Sequence, residues 1–97
     1  YTGFKPAFII RKDTGGTEQW TMQDNTRKLF NVNKSIFNPN RSNAEAGNAN
    51  LSIDFLSNGF KVRSGDQASN AAGGIYIYMC FAEHPFVSSE GVPTTAR

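Results

Sequence analysis

Cysteine is nearly absent from this chain, which has one, Cys80, among its 97 residues. A single cysteine cannot form an intrachain disulfide, so the fold does not depend on oxidation. One cysteine and one histidine, His84, also cannot make a typical structural zinc site. The aspartates are scattered rather than clustered, which disfavours a calcium site. We therefore expect no metal and no cofactor.

Long apolar runs and blocks of like charge are also missing. No stretch approaches the ~20 apolar residues that a membrane helix needs, and no signal peptide is present. The net charge of +2 comes from cations spread in ones and twos, without the basic block that nucleic-acid binding favours. We expect neither a membrane nor a nucleic acid as partner. Because the chain begins at Tyr1 without an initiator methionine, we expect it to be part of a longer polypeptide.

Catalytic motifs are lacking as well. His84 follows Glu83, but neighbouring residues of a strand point to opposite faces, which disfavours acid–base work by the pair. Cys80 lies in an apolar stretch, whereas a nucleophilic thiol needs an exposed, electropositive setting. Gly73-Gly74 precedes a strand pattern rather than a helix, so it does not fit a dinucleotide-binding loop. The sequence thus predicts that the protein is not an enzyme.

The strongest positive pattern is the run from Ile75 to Ala82. Side chains alternate across a strand, so this run predicts two apolar or amphipathic faces. Such a strand is typical of an interior position covered on both sides, and we predict that it is the central strand of the domain. The first face holds Ile75, Ile77, Met79 and Phe81, and the second holds Tyr76, Tyr78, Cys80 and Ala82.

Other segments predict the strands that cover it. Residues 4–12 and 18–24 form a plausible first hairpin, with Trp20 and Met22 on one side. Residues 51–56 and 60–63 flank Asn58-Gly59, a pair that suits a tight hairpin turn. Residues 33–50 predict a long surface excursion anchored by Ile36 and Phe37, with a helical turn at 44–46.

These patterns predict one all-β domain, a compact, jelly-roll-like antiparallel β-sandwich of roughly six to eight short strands. We place this domain at residues 1–86 and an extended tail at residues 87–97. Asp54 is expected to point outward from its hairpin, paired across the strands with Lys61 or Arg63.

Exposed aromatic side chains are the remaining candidates for binding. Trp20, Tyr76 and Tyr78 are of the planar kind that stacks on sugar rings, so they are the predicted contacts for a glycan or a protein partner. A single tryptophan on an alternating strand is nevertheless more often a core residue.

The order of these segments resembles a known family, the C-terminal module of virion proteins of tailed bacteriophages, often found behind a concanavalin- or laminin-G-like domain. The likeness covers nearly the whole chain. The segments that carry it are Gly3–Lys12, Trp20–Arg27, Ile53–Arg63, Gly74–Phe86 and the closing Gly91–Arg97.

The resemblance implies a structural and adhesive role in a virion appendage, a tail fibre or spike, contributing to assembly and to recognition of the host surface. The expected partners are other virion proteins and further copies of the chain, as a homotrimer, together with a host-surface glycan. The expected location is the surface of the phage particle. Two alternatives remain open: a capsid decoration or head-fibre protein that binds the phage shell, and a glycan-binding module.

Overall fold

The main sheet has three antiparallel strands in the order β2–β1–β7. These are β1 (Pro6–Asp13), β2 (Thr21–Asp24) and β7 (Tyr76–Ala82). The computed structural model describes residues 1–27 and 30–84. β1 begins at Pro6, a position where the missing N–H of proline costs a strand little.

Two smaller antiparallel sheets complete the described fold. One pairs β3 (Ser35–Ile36) with β4 (Ala46–Gly47), and the other pairs β5 (Ile53–Leu56) with β6 (Gly59–Val62). The single bridge between Met22 and Phe37 joins β2 to the segment after β3. The single bridge between Asn33 and Ile53 joins the segment before β3 to β5. The predicted all-β class with short antiparallel strands is confirmed, while the jelly-roll order stays a prediction. No helix among the described residues has the length and hydrophobicity needed to cross a bilayer.

The excursion between β2 and β5 is more ordered than predicted. The helical turn expected at 44–46 is wrong, because Ala46 and Gly47 pair with Ile36 and Ser35 as a strand. The helical turn instead is 3₁₀ and spans Ala49–Leu51, where the Asn48 side chain accepts from the N–H of Asn50 at its start. The predicted tail at 87–97 lies outside the described residues.

The β5–β6 hairpin forms as predicted, but its turn is shifted by one residue. Leu56 pairs with Gly59, which leaves Ser57 and Asn58 as the two central residues. Gly59 is required for packing rather than for a positive φ. A Cβ on Gly59 would lie 3.1 Å from the Cα of Tyr1 and 3.2 Å from the nitrogen of Thr2, because the N-terminal backbone passes directly over it.

The predicted central position of the strand at 75–82 is wrong. Among the described residues, β7 pairs with β1 alone and lies at the edge of the sheet, and β1 is the central strand. The predicted alternation of faces is correct: β1 residues 8, 10 and 12 pair with Phe81, Met79 and Ile77, and β1 residues 9, 11 and 13 pair with Cys80, Tyr78 and Tyr76.

One face of the main sheet is much more buried than the other. The face that includes Ile9, Arg11 and Asp13 is buried, and β5 packs near it. The other face is apolar and largely uncovered among the described residues. As expected, Trp20 and Met22 lie on one side of the strand and their polar neighbours on the other. The polar neighbours, Thr21 and Gln23, are the ones that are buried.

The described interior is therefore unusually polar. Its buried apolar residues are few and small or aliphatic, and buried polar residues outnumber them. Burying a polar group is costly unless it is hydrogen-bonded. The apolar set is Ile9, Ile36, Leu51, Ile53 and Ala68, and the polar set is Arg11, Asp13, Thr21, Gln23, Asn33, Ser52, Asp54 and Ser69.

Side chain to backbone hydrogen bonds hold this interior together. Gln23 donates to the carbonyl of Asn33 at 3.2 Å, and Asn33 donates to the carbonyl of Asp24 at 2.7 Å. Arg11 donates from Nη2 to the carbonyl of Leu51 at 2.8 Å. Burial lowers the pKa of Arg11 to about 10, although Asp66 and Tyr76 act in the opposite direction. The guanidinium thus remains charged at neutral pH while joining β1 to the segment before β5.

Candidate interaction surface

The outer face of the main sheet carries a continuous set of large apolar side chains, which we call the apolar face. In β7 its members Ile77, Met79 and Phe81 are 50%, 58% and 55% exposed. Neighbouring strands supply partly exposed residues, so the set crosses the sheet. The apolar face consists of Phe8, Ile10, Trp20, Ile77, Met79 and Phe81.

A groove of about 300 Å³ runs between these side chains. The rings of Phe8 and Phe81 lie 5.8 Å apart between centroids, tilted by 52°. That distance lies within the range preferred by aromatic pairs. Soluble proteins rarely expose large contiguous apolar patches, so three adjacent apolar side chains that are each at least half exposed make this face a candidate interaction site.

Two ion pairs lie at one end of the apolar face, beside the start of β1. Lys5 contacts Glu83 at 3.0 Å, and Arg27 contacts Asp24 at 2.8 Å. The hydrogen bond from Lys5 is the main reason that the pKa of Glu83 is lowered. Each of these two cations is matched by a carboxylate. Lys12 lies on the same side of β1 toward its other end and donates to the backbone carbonyls of Asp13 and Gly16.

Trp20 is the predicted contact residue that lies on the apolar face. It precedes β2, is half-buried, and lines the groove beside Ile10. A second groove of about 330 Å³ lies on its other side, against Pro39 and Asn40.

The side chains of Tyr76 and Tyr78 alternate to the opposite face, although Tyr78 also borders the groove that Trp20 lines, so the structure does not bring all three aromatic residues together. The Tyr76 hydroxyl donates to the carbonyl of Gln67 at 2.8 Å and accepts from the N–H of Ala71 at 2.7 Å. Its ring packs so closely on Gly74 that a Cβ there would lie 2.7 Å from the hydroxyl oxygen. Tyr76 therefore fastens the loop before β7. Tyr78 is half-exposed and meets Phe60 edge-on at 5.3 Å.

Phe8 and Ile10 line the apolar face, and the sequence interpretation does not predict this. Both were assigned to a strand, and the alternation of β1 places them on one side with Lys12. The alternation therefore indicates that Phe8 and Ile10 share a face. Because the sequence predicts β7 as the central strand, it does not predict β1 as the centre of an exposed sheet.

Asp54 differs from its expected position. It is buried, at 4% exposure, and its carboxylate pairs with Arg63, whereas Lys61 is the residue directly opposite in the hairpin. The expected partner Arg63 is thus correct, and the expected outward orientation is wrong.

The structure also shows the surroundings of Glu83, His84 and Cys80, the residues weighed above for catalytic roles. Glu83 and His84 follow the end of β7, so strand alternation does not separate them, and Nε2 of His84 lies 3.5 Å from Oε1 of Glu83. The His84 side chain is 83% exposed. Burial raises the pKa of the Cys80 thiol, which disfavours the reactive thiolate. Within the described residues, no three His, Cys, Asp or Glu side chains cluster as metal ligands would.

The turn after β2 provides a pH-dependent contact. Asp24 accepts from the N–H groups of Thr26 and Arg27 with Oδ1 and from Nε of Arg27 with Oδ2. Burial alone would raise the pKa of Asp24, but the hydrogen bonds and charge of Arg27 outweigh it and lower this pKa. The guanidinium also lies 4.2 Å above the Phe37 ring and contacts Glu45 at 3.1 Å.

We expect Asp24→Asn to destabilise the fold by about 1–2 kcal/mol at pH 7, through loss of charge-assisted hydrogen bonds. A carboxylate with a lowered folded pKa stabilises fully above its unfolded pKa of about 4 and loses this effect as pH falls through the folded value. The difference in melting temperature between wild type and variant should therefore shrink between pH 6 and pH 2. A difference that stays constant over this range would contradict the assignment.

The fold defines a small all-β domain whose main sheet has an apolar face that is largely uncovered among the described residues. The family model described as "Domain of unknown function (DUF7483)" matches residues 1–85, and the chain belongs to this family. No curated protein and no solved structure gives a significant match to the chain.

Proposed function

We propose that the chain is a structural and adhesive module of a bacteriophage virion appendage, a tail fibre or spike. Its role is to hold protein subunits together, with recognition of the host surface as a second role. The segment order that resembles phage virion modules supports the viral assignment. The apolar face supports the assembly role.

The observation that carries the assembly role is that polar side chains are buried while large apolar side chains are exposed. The described interior buries Arg11, Gln23 and Asn33, while Ile77, Met79 and Phe81 remain half-exposed. A standard protein interface covers about 800 Å² per partner. Roughly 57% of such an area is apolar, and the large side chains of the apolar face supply surface of this kind.

The proposed partners are other virion proteins and further copies of this chain. The ion pairs beside the start of β1 suit contact between identical subunits, since paired charges add little repulsion when two such faces meet. The resemblance implies three copies, and virion proteins around the appendage would supply the remaining contacts.

Locating the domain in intact particles tests this proposal. An antibody raised against the 97-residue chain, used to label purified phage particles for electron microscopy, should mark the tail fibres or spikes. Labelling of every capsomer would instead support the capsid-decoration alternative. Particles that contain the chain in neither place would overturn both.

The grooves on either side of Trp20 favour a second candidate function, glycan binding. An aromatic ring next to the amide of Asn40 offers the stacking and hydrogen-bonding groups that sugars use. If this is the role, a glycan array should give hits that Trp20→Ala abolishes while the far-UV spectrum stays unchanged. Phe30→Ala removes an exposed aromatic residue that lines neither groove, so it is the matched control and should retain the hits.

A further inference from the structure

Among the residues that the structure describes, β7 has a strand partner on one side only, so its outer edge is open there. The N–H of Thr14 donates to the carbonyl of Ile75, so Ile75 belongs to a hydrogen-bonded pair with β1. In an antiparallel ladder such pairs recur every second residue. The backbone groups of Ile77, Met79 and Phe81 therefore face β1. Those of the alternate residues, Tyr76, Tyr78, Cys80 and Ala82, point to the free edge.

Side chains on both faces of β7 are exposed, which indicates what kind of neighbour would cover them. Met79 on the apolar face is 58% exposed, and Tyr78 on the other face is 53% exposed. A layer packed on the apolar face alone would leave Tyr78 open. A strand added beside β7 would flank the side chains on both faces, so it accounts for the exposure of Tyr78, which a layer on the apolar face alone does not.

Nothing within β7 protects this edge. Natural edge strands carry charged residues, proline or a bulge that prevents pairing with another chain. Tyr76–Ala82 has no charged residue and no proline. The register irregularity lies on the β1 side, between Pro6 and Phe8.

We propose that β7 pairs with β7 of a second copy of this chain, antiparallel, about a two-fold axis at Met79. This register uses all seven residues of the strand and places every free-edge backbone group of Tyr76, Tyr78, Cys80 and Ala82 in a hydrogen-bonded pair. Met79 then lies opposite Met79 of the second copy. Ile77 lies opposite Phe81, Tyr78 opposite Cys80, and Tyr76 opposite Ala82.

The sequence of β7 favours its own copy as the occupant. Pairs of an aromatic residue with a β-branched one, as between Ile77 and Phe81, stabilise antiparallel sheets, and no pair in this register sets like charges against each other. The contact is isologous and builds a dimer, which differs from the three copies that the resemblance implies. The inference rests on the proposed assembly role, because it names the partner that completes the exposed sheet.

Cysteine cross-linking tests the register in the full 97-residue chain. With Cys80 changed to Ser, Met79→Cys should form a disulfide-linked dimer, because facing residues of a non-hydrogen-bonded pair lie ~4.5 Å apart between Cα atoms, within disulfide reach. The matched control, Ile77→Cys in the same background, should not, since its two thiols would lie ~13 Å apart along the strands. We expect the Met79→Cys variant to oxidise to dimer at least ten times faster. Equal rates for the two variants would overturn the proposal.

A charge at the two-fold axis provides the second test. Met79→Lys should weaken self-association in sedimentation at least ten-fold, because two ammonium groups would face each other, while the monomer keeps its melting temperature. Leu56→Lys, an exposed apolar position on the β5–β6 hairpin, should leave association unchanged. A trimer that Met79→Lys does not weaken, or a chain that stays monomeric, contradicts this pairing. The labelling of phage particles decides the proposed function separately.

Discussion

Replacing Ile53 with alanine is expected to lower the free energy of unfolding by about 2–5 kcal/mol, since a buried aliphatic side chain leaves a cavity. Ile53 has no exposed surface, and its backbone exchanges hydrogen bonds of 2.9 and 2.8 Å with Asn33. It thus fixes the β5–β6 hairpin against the segment that follows β2. The interior has few buried apolar residues, so the loss of one is a large part of its total.

Chemical denaturation of the purified chain measures this loss. In a domain of this size each kcal/mol corresponds to ~4–8 °C in melting temperature. Leu56→Ala, on the same hairpin but 39% exposed, should change the free energy of unfolding by less than about 1 kcal/mol. If both variants lose the same stability, Ile53 is not the residue that fixes the hairpin.

Removal of Arg63 is expected to cost about 3 kcal/mol, because it leaves the buried carboxylate of Asp54 without its charged partner. Among the described residues, Oδ1 of Asp54 has no hydrogen-bond partner, so the contact of Oδ2 with Arg63 is its main compensation. Arg63→Ala and Lys61→Ala should be compared by denaturation at the same pH. Lys61 is exposed and lies opposite Asp54, yet its removal should cost less than about 0.5 kcal/mol. A larger loss for Lys61 would reverse the assignment.

The alternation of side chains along each strand could be predicted from the sequence, but their burial could not. The two faces of β7 and the separation of Trp20 and Met22 from Thr21 and Gln23 are correct. Strand periodicity reports which residues share a face. It does not report what covers that face, so apolar residues on both sides of β7 were taken to show an interior strand. An edge strand that pairs with another chain also has apolar residues on both faces.

The hairpin and its charges show a similar limit. The sequence predicts a turn near Asn58-Gly59, yet the close passage of the N-terminal backbone, a contact between distant parts of the chain, explains why residue 59 is glycine. The choice of Arg63 over Lys61 as the partner of Asp54 likewise depends on side-chain geometry beyond the register.

The candidate site was predicted only in part. Aromatic character identified Trp20, which lies on the apolar face, together with Tyr76 and Tyr78, which lie on the other. The internal hydrogen bonds of the Tyr76 hydroxyl depend on where the loop at 67–74 folds, and no local pattern predicts that. The roles of Phe8 and Ile10 required the knowledge that β1, not β7, is the central strand.

Residue-specific amide hydrogen exchange tests most directly whether another copy of the chain completes the edge of β7. In dilute solution, the amides of Ile77 and Met79, which bond to β1, should exchange slowly, while those of Tyr78 and Cys80 exchange fast. As the concentration rises and copies associate, the amides of Tyr78 and Cys80 should become protected as well. If these two amides still exchange fast when the chain sediments as an oligomer, the edge of β7 is not where the copies meet.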